Sequence, residues 1–119
     1  MAAFFLLRMN DHLQYLNKVK ATLDGKGDFR GSDYHKCKFG LWLYGDGPNE
    51  VAAMPAEAKS VFESIFEPHQ RFHDASHQAL GFHDAGDVGQ AKEKMTEMHH
   101  LSNELVGKLL QLDRLATRK

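Results

Sequence analysis

Residues 88–116 read VGQAKEKMTEMHHLSNELVGKLLQLDRLA. Within them Val88, Ala91, Met95, Met98, Ser102, Leu105, Leu109, Leu112 and Ala116 recur at alternating spacings of three and four. This is the period of a helix that packs one face against other helices, and nine positions keep it without a break. Asp87, followed three residues later by Gln90, resembles the capping box that starts such a helix. A stripe of this length is buried only by partners of similar length.

Two such partners lie upstream. Phe5, Met9, His12, Leu16, Val19 and Leu23 carry the same alternation, and Asp24-Gly25-Lys26-Gly27 closes that helix. A third pattern starts near Pro55, at a first-turn position, and runs through Ala58, Val61, Ile65, His69, Phe72, Ser76 and Leu80. Pro68 lies inside it and predicts a kink just before His69, since it removes a backbone bond at a cost of about 3 kcal/mol. Gly81 and Gly86 mark its end and the turn that follows. Between the first and third patterns, residues 28–34 read as a turn-rich connector. Ser32 or Asp33 then caps a short helix that carries Cys37 and ends near Gly45, and residues 45–49 form a loop. No stretch alternates as a strand, and there is no internal repeat or low-complexity tract. The expected fold is all-α: an antiparallel four-helix bundle type with near 20° crossings, three long helices and one short helix carrying the cysteine.

The 119 residues fit a single domain, residues 1–119, with a core that needs no disulfide or metal to hold it. The apolar pattern is already under way by Phe5 with no capping residue before it. The chain therefore reads equally as a whole protein or as a piece excised from a larger signalling protein, with Met1 added for expression. Fifteen basic and 16 acidic residues leave a net charge of -1, without the basic excess that draws proteins to nucleic acid. The apolar start breaks at Arg8, far short of the roughly 20 residues that cross a bilayer. One cysteine and no signal-peptide pattern point to a cytoplasmic, reducing setting.

The compositional outlier is histidine, with eight, at 12, 35, 69, 73, 77, 83, 99 and 100. A polar ring inside an apolar stripe needs hydrogen bonds or a ligand to offset its desolvation, and His12, His69 and His73 occupy such stripes. His69 and His73 are four apart in HQRFH, so their rings rise from one helix face and can share an ion. The glutamate that a zinc-protease helix places after its first histidine is missing. With Cys37, the three histidines make a closed tetrahedral zinc set; the alternative is a hydrogen-bonded core with Cys37 as a small buried hydrophobe. His77 is a substitute ligand at the stripe's edge. His35 has a solvated or capping role, and His99 and His100 belong to the surface or rim. Glu97, His100 and Glu104 show spacings seen in di-iron bundles, but these carboxylates, with Glu57 and Glu63, fall mostly on polar faces.

Three pieces taken in order carry a resemblance: the histidine in DHLQYLNKV, then Cys37-Lys38-Phe39-Gly40-Leu41-Trp42, then EPHQRFH. Together they resemble the bacterial chemoreceptor zinc-binding domain, CZB, over about residues 4–115. The chain departs from the family pattern at Gln14, where a bulky apolar residue is often found, and at Lys38. The resemblance places the family's zinc site, built of three histidines and one cysteine, on His12, Cys37, His69 and His73. It implies a Zn2+-binding regulatory domain of a chemoreceptor or diguanylate cyclase, commonly a homodimer. Such domains are linked to sensing of zinc or of hypochlorous acid through the cysteine.

A filled tetrahedron leaves no site for an activated water, so the chain is expected not to be an enzyme. Residues 34–45, docked by Phe39, Leu41 and Trp42, are the expected switch element. Asp33 either orients a ligand or caps the helix, and Gly40 admits close backbone approach or marks the helix end. A zinc-stabilised dimerisation module is the rival to a sensor.

Overall fold

The computed structural model describes residues 2–117; Met1, on which part of the excision reading falls, lies outside them. Six helices follow in order among the described residues: α1 (Ala2–Leu23), α2 (Lys38–Tyr44), α3 (Gly47–Ala52), α4 (Ala56–Glu63), α5 (Phe66–Asp84) and α6 (Val88–Thr117). No strand occurs among them. The long helices α1, α5 and α6 form the body, measuring 52 × 20 × 18 Å, with α6 packed against both others.

The long stripes face inward. Val19 of α1, Phe72 and Ala79 of α5, and Met98, Leu105, Leu109 and Leu112 of α6 are fully buried. Each buried aliphatic side chain contributes about 1.5–3 kcal/mol relative to exposure. Val88, the first stripe position of α6, is exposed, so burial begins one turn later at Ala91. Asp87 caps α6 by accepting the Gln90 N–H at 3.1 Å. Gly86, at φ +79°, reverses the chain between α5 and α6 and makes them antiparallel.

Four expectations are corrected. Residues 47–52, placed partly in a loop, form helix α3, whose early Pro48 suits a first turn. The third helical pattern is two helices: the break falls at Ser64 and Ile65, one turn before Pro68. The cause is proline's reach, because its ring meets the carbonyl four residues back, which is that of Ser64. Its missing N–H falls within the first turn of α5, where donors lack intrahelical partners in any case. Finally, α2 begins at Lys38, so Cys37 is its N-cap and Asp33 is not. Leu41 is 62% exposed and docks nothing; Phe39, Trp42 and Leu43 hold α2 to the bundle.

Neighbouring leucines on α6 test this packing. Leu109→Ala should cost about 2–5 kcal/mol in urea unfolding, whereas Leu110→Ala, on the solvent side, should stay within about 0.5 kcal/mol.

Candidate metal centre

Two segments bring the site together. The first turns of α5, reset by the break at Ser64, present His69 and His73 on one buried face with ring centroids 4.8 Å apart. Across from them the strap between α1 and α2 delivers Cys37. Donor atoms of Cys37, His69 and His73 all lie within 4.8 Å of one another. Among the described residues no other group of three ligating side chains forms.

Cys37 is held from several sides. Its Sγ stands 3.5 Å from His69 Nε2 and accepts the Gly40 N–H at 3.2 Å. Gly40 is required by close approach: a Cβ there would lie 2.0 Å from the Tyr34 carbonyl oxygen. Trp42 packs edge-on to Phe5 and Phe62 and donates from Nε1 to Glu50 Oε1 at 2.8 Å. Aromatic packing therefore places the first turn of α2, and with it the sulfur.

His12 is buried on α1 beside Phe72, ring centroids 4.5 Å apart, and lines the same ≈ 190 Å³ cavity as Cys37, His69 and His73. It lies outside the close cluster, and its Nε2 pairs with Ser102 Oγ on α6 at 3.0 Å. His73 donates from Nδ1 to the Ser32 carbonyl at 3.0 Å. His12 and His73 thus each have one ring nitrogen oriented by a protein oxygen, as ligand histidines do.

Hydrogen bonding alone does not account for His69. Its Nδ1 is buried with no partner, while its Nε2 faces only the sulfur. A neutral imidazole has one donor and one acceptor nitrogen, so one side of His69 stays unpaired whatever its Nε2 holds, and it is the spacing of Nε2 from the sulfur that bears on a metal. With Zn–S at about 2.3 Å and Zn–N at about 2.0–2.1 Å, two ligands of a tetrahedral zinc stand about 3.5 Å apart. The sulfur and His69 Nε2 have that separation. Imidazole nitrogens with a thiol are a donor set that suits zinc.

Burial keeps the rings neutral. Desolvation, aided by neighbouring histidines, lowers His12 to about 4 and His69 to about 3. Desolvation also lowers His73, to about 4, against the opposing pull of the Ser32 carbonyl. Burial pushes the Cys37 thiol up, while N–H groups at the start of α2 pull it the other way.

The remaining candidates lie elsewhere. Asp33 Oδ2 accepts the His35 N–H and meets His35 Nδ1, both at 3.0 Å, so it fastens a turn and pairs with no ligand. His35 stacks on Tyr34 and Tyr44. His77 is exposed and donates to the Ser32 carbonyl. His99, His100, Glu57, Glu63 and Glu104 are exposed, and Glu97 pairs with Lys94, so no carboxylate core assembles.

Sequence reading missed Ser32, Ser102 and Tyr15. Ser102 had a signal, as a hydroxyl in the middle of an apolar stripe. Ser32 acts through its backbone, which no side-chain pattern records.

A family model described as the chemoreceptor zinc-binding domain matches residues 12–80, a span that opens on His12 and includes Cys37, His69 and His73. No curated protein and no solved structure matches the chain.

Two measurements follow from the protonation states. Metal-free protein should be fully stable with respect to these histidines above pH 6.5. Its stability should fall as pH drops from about 6.5 toward about 4, because the unfolded chain takes up protons the buried rings refuse. Near pH 7, zinc uptake should release about one proton, from Cys37, in calorimetry across buffers of different ionisation heat. Because the rings are already neutral, that number should stay the same down to about pH 5.5.

Proposed function

The chain belongs to the chemoreceptor zinc-binding domain family, and from that premise we propose a regulatory domain whose His12, Cys37, His69 and His73 hold one Zn2+ and report on zinc or on oxidant. The observation that carries the proposal is the sulfur of Cys37 set 3.5 Å from His69 Nε2, at the junction of strap and helix α2. With zinc held there, Cys37 would be kept as thiolate, the nucleophilic form. Hypochlorous acid then meets an electron pair on Sγ: chlorine transfers to sulfur and hydroxide leaves, after which water displaces chloride to give the sulfenic acid. A sulfenic acid is a poorer ligand than a thiolate, so oxidation and zinc loss converge on one outcome.

The element released is smaller than residues 34–45. Phe39 and Leu43 are 1% and 0% exposed, so α2 keeps its apolar anchors without the sulfur. Residues 33–37 contribute no side chain to the fully buried core, and His35 and Lys36 are exposed. This leash, biased by ligation at Cys37, is the two-state element.

The signal passes to the domains of a parent chemoreceptor or cyclase in the cytoplasm, and the domain works as a homodimer. No helix among the described residues is long and apolar enough to cross a membrane. Exposed Leu6, Leu7 and Leu13 on α1 are the kind of surface a second copy covers. Four protein ligands leave no position for a reacting water, which favours regulation over catalysis.

The deciding experiment is metal content before and after mild hypochlorous acid. Wild-type protein should hold about one zinc per chain and release it on oxidation, with faster hydrogen exchange confined to residues 33–37. Cys37→Ala should weaken zinc binding by more than the about 100-fold that loss of an outer partner costs. Zinc retained through oxidation would defeat the oxidant reading, and exchange across residues 34–45 left unchanged by zinc removal or by Cys37→Ser would favour the structural dimerisation module instead.

A further inference from the structure

The backbone of Ser32 is gripped on both sides of its Cα. Its N–H donates to the Tyr15 phenol oxygen at 3.0 Å. Its carbonyl accepts from two imidazoles of α5, His73 Nδ1 and His77 Nε2, each at 3.0 Å. A carbonyl oxygen has two lone pairs, which suit these two donations, and the Tyr15 hydroxyl approaches the same oxygen at the longer distance of 3.4 Å. The Tyr15 phenol is also within 3.4 Å of Ser76 Oγ, which ties it to α5. Gly31, at φ +84°, completes the grip: a Cβ there would lie 3.0 Å from His77 Cε1 and 3.2 Å from the Tyr15 oxygen. Only glycine brings the strap this close with that backbone angle.

The backbone of this one residue governs two ligands. By accepting from Nδ1 it fixes His73 in the Nδ1–H tautomer, so Nε2 keeps the lone pair available to a metal. By anchoring the strap five residues before Cys37, it sets where the leash to the sulfur begins. We propose that Tyr15 and His77 are positioning residues of the zinc site, acting through the Ser32 backbone to set the tautomer of His73 and the reach of Cys37. Neither supplies a donor to the ion. Tyr15 holds the Ser32 N–H, with its hydroxyl 3.4 Å from the Ser32 carbonyl as well, and His77 aims that carbonyl so that His73 meets it in one ring orientation. The inference rests on the zinc reading above.

The test uses the full chain as wild type, Tyr15→Phe, His77→Ala and His77→Gln. Tyr15→Phe keeps the ring and removes only the hydroxyl, and His77 is exposed, so circular dichroism should show each variant folded. Zinc affinity is read by competition with a chromogenic chelator, and the His73 tautomer by long-range proton–nitrogen spectra of the metal-free protein. Tyr15→Phe and His77→Ala should each weaken zinc about 10–100-fold and turn His73 from Nδ1–H into a mixture of tautomers. His77→Gln, whose amide can still donate to the carbonyl, should restore both. Unchanged affinity and tautomer in Tyr15→Phe and His77→Ala would overturn the inference. So would a His77→Gln variant as weak as His77→Ala with an altered cobalt ligand-field spectrum, which would make His77 a ligand. Should wild type bind no zinc, the zinc-domain reading fails, and the tautomer alone decides: Nδ1–H retained in both variants defeats the clasp.

Discussion

Three imidazoles inside an apolar bundle set the terms for everything around them. A buried ring must be neutral, and each of its two nitrogens has to be met. Ser102 meets His12, the Ser32 carbonyl meets His73, and His69 is left facing sulfur. These partners come from α6, from the strap and from the cap of α2. The need to satisfy three rings thus ties α6, the strap and the cap of α2 to the two helices that carry them. Gly31, Gly40 and Ser102 belong to this requirement: each gives up packing volume so that a polar atom can reach an imidazole or the sulfur.

The parts of this arrangement that sequence exposes are those written in side-chain period. Helices α1 and α6 repeat their stripes often enough to average out local irregularity, so His12 could be turned inward from spacing alone. The pair His69 and His73 was legible for the same reason. Short elements were not. Gly47-Pro48-Asn49 has turn composition, yet the proline suits a helix start as well as a loop, and six residues carry too little period to decide. In the seven residues of α2, Leu41 and Leu43 compete for the inner face, and only the docked geometry selects Leu43.

Pro68 shows a different limit. A proline marks where a hydrogen bond is lost, but the clash that breaks the helix falls on the carbonyl four residues earlier. The break at Ser64 is therefore legible once the clash partner, not the proline, is taken as the site of damage. It matters to the metal centre because it starts α5 afresh, and His69 donates its N–H to the Ile65 carbonyl within that new first turn. The strap is harder still. Its contributions are a carbonyl, an amide and the space over a glycine, none of which alters hydropathy or period.

Ser102 sits midway along α6, the 30-residue helix that runs the length of the molecule. At about 1.5 Å per residue that helix is a rod of about 45 Å. The hydroxyl that steadies His12 therefore grips the rod near its balance point. A push there has almost no lever arm about the centre, so it shifts the helix sideways as one body, whereas the same push near a terminus would tilt it. One imidazole of the site is in this way braced against the longest helix at the point where that helix is least easily tilted.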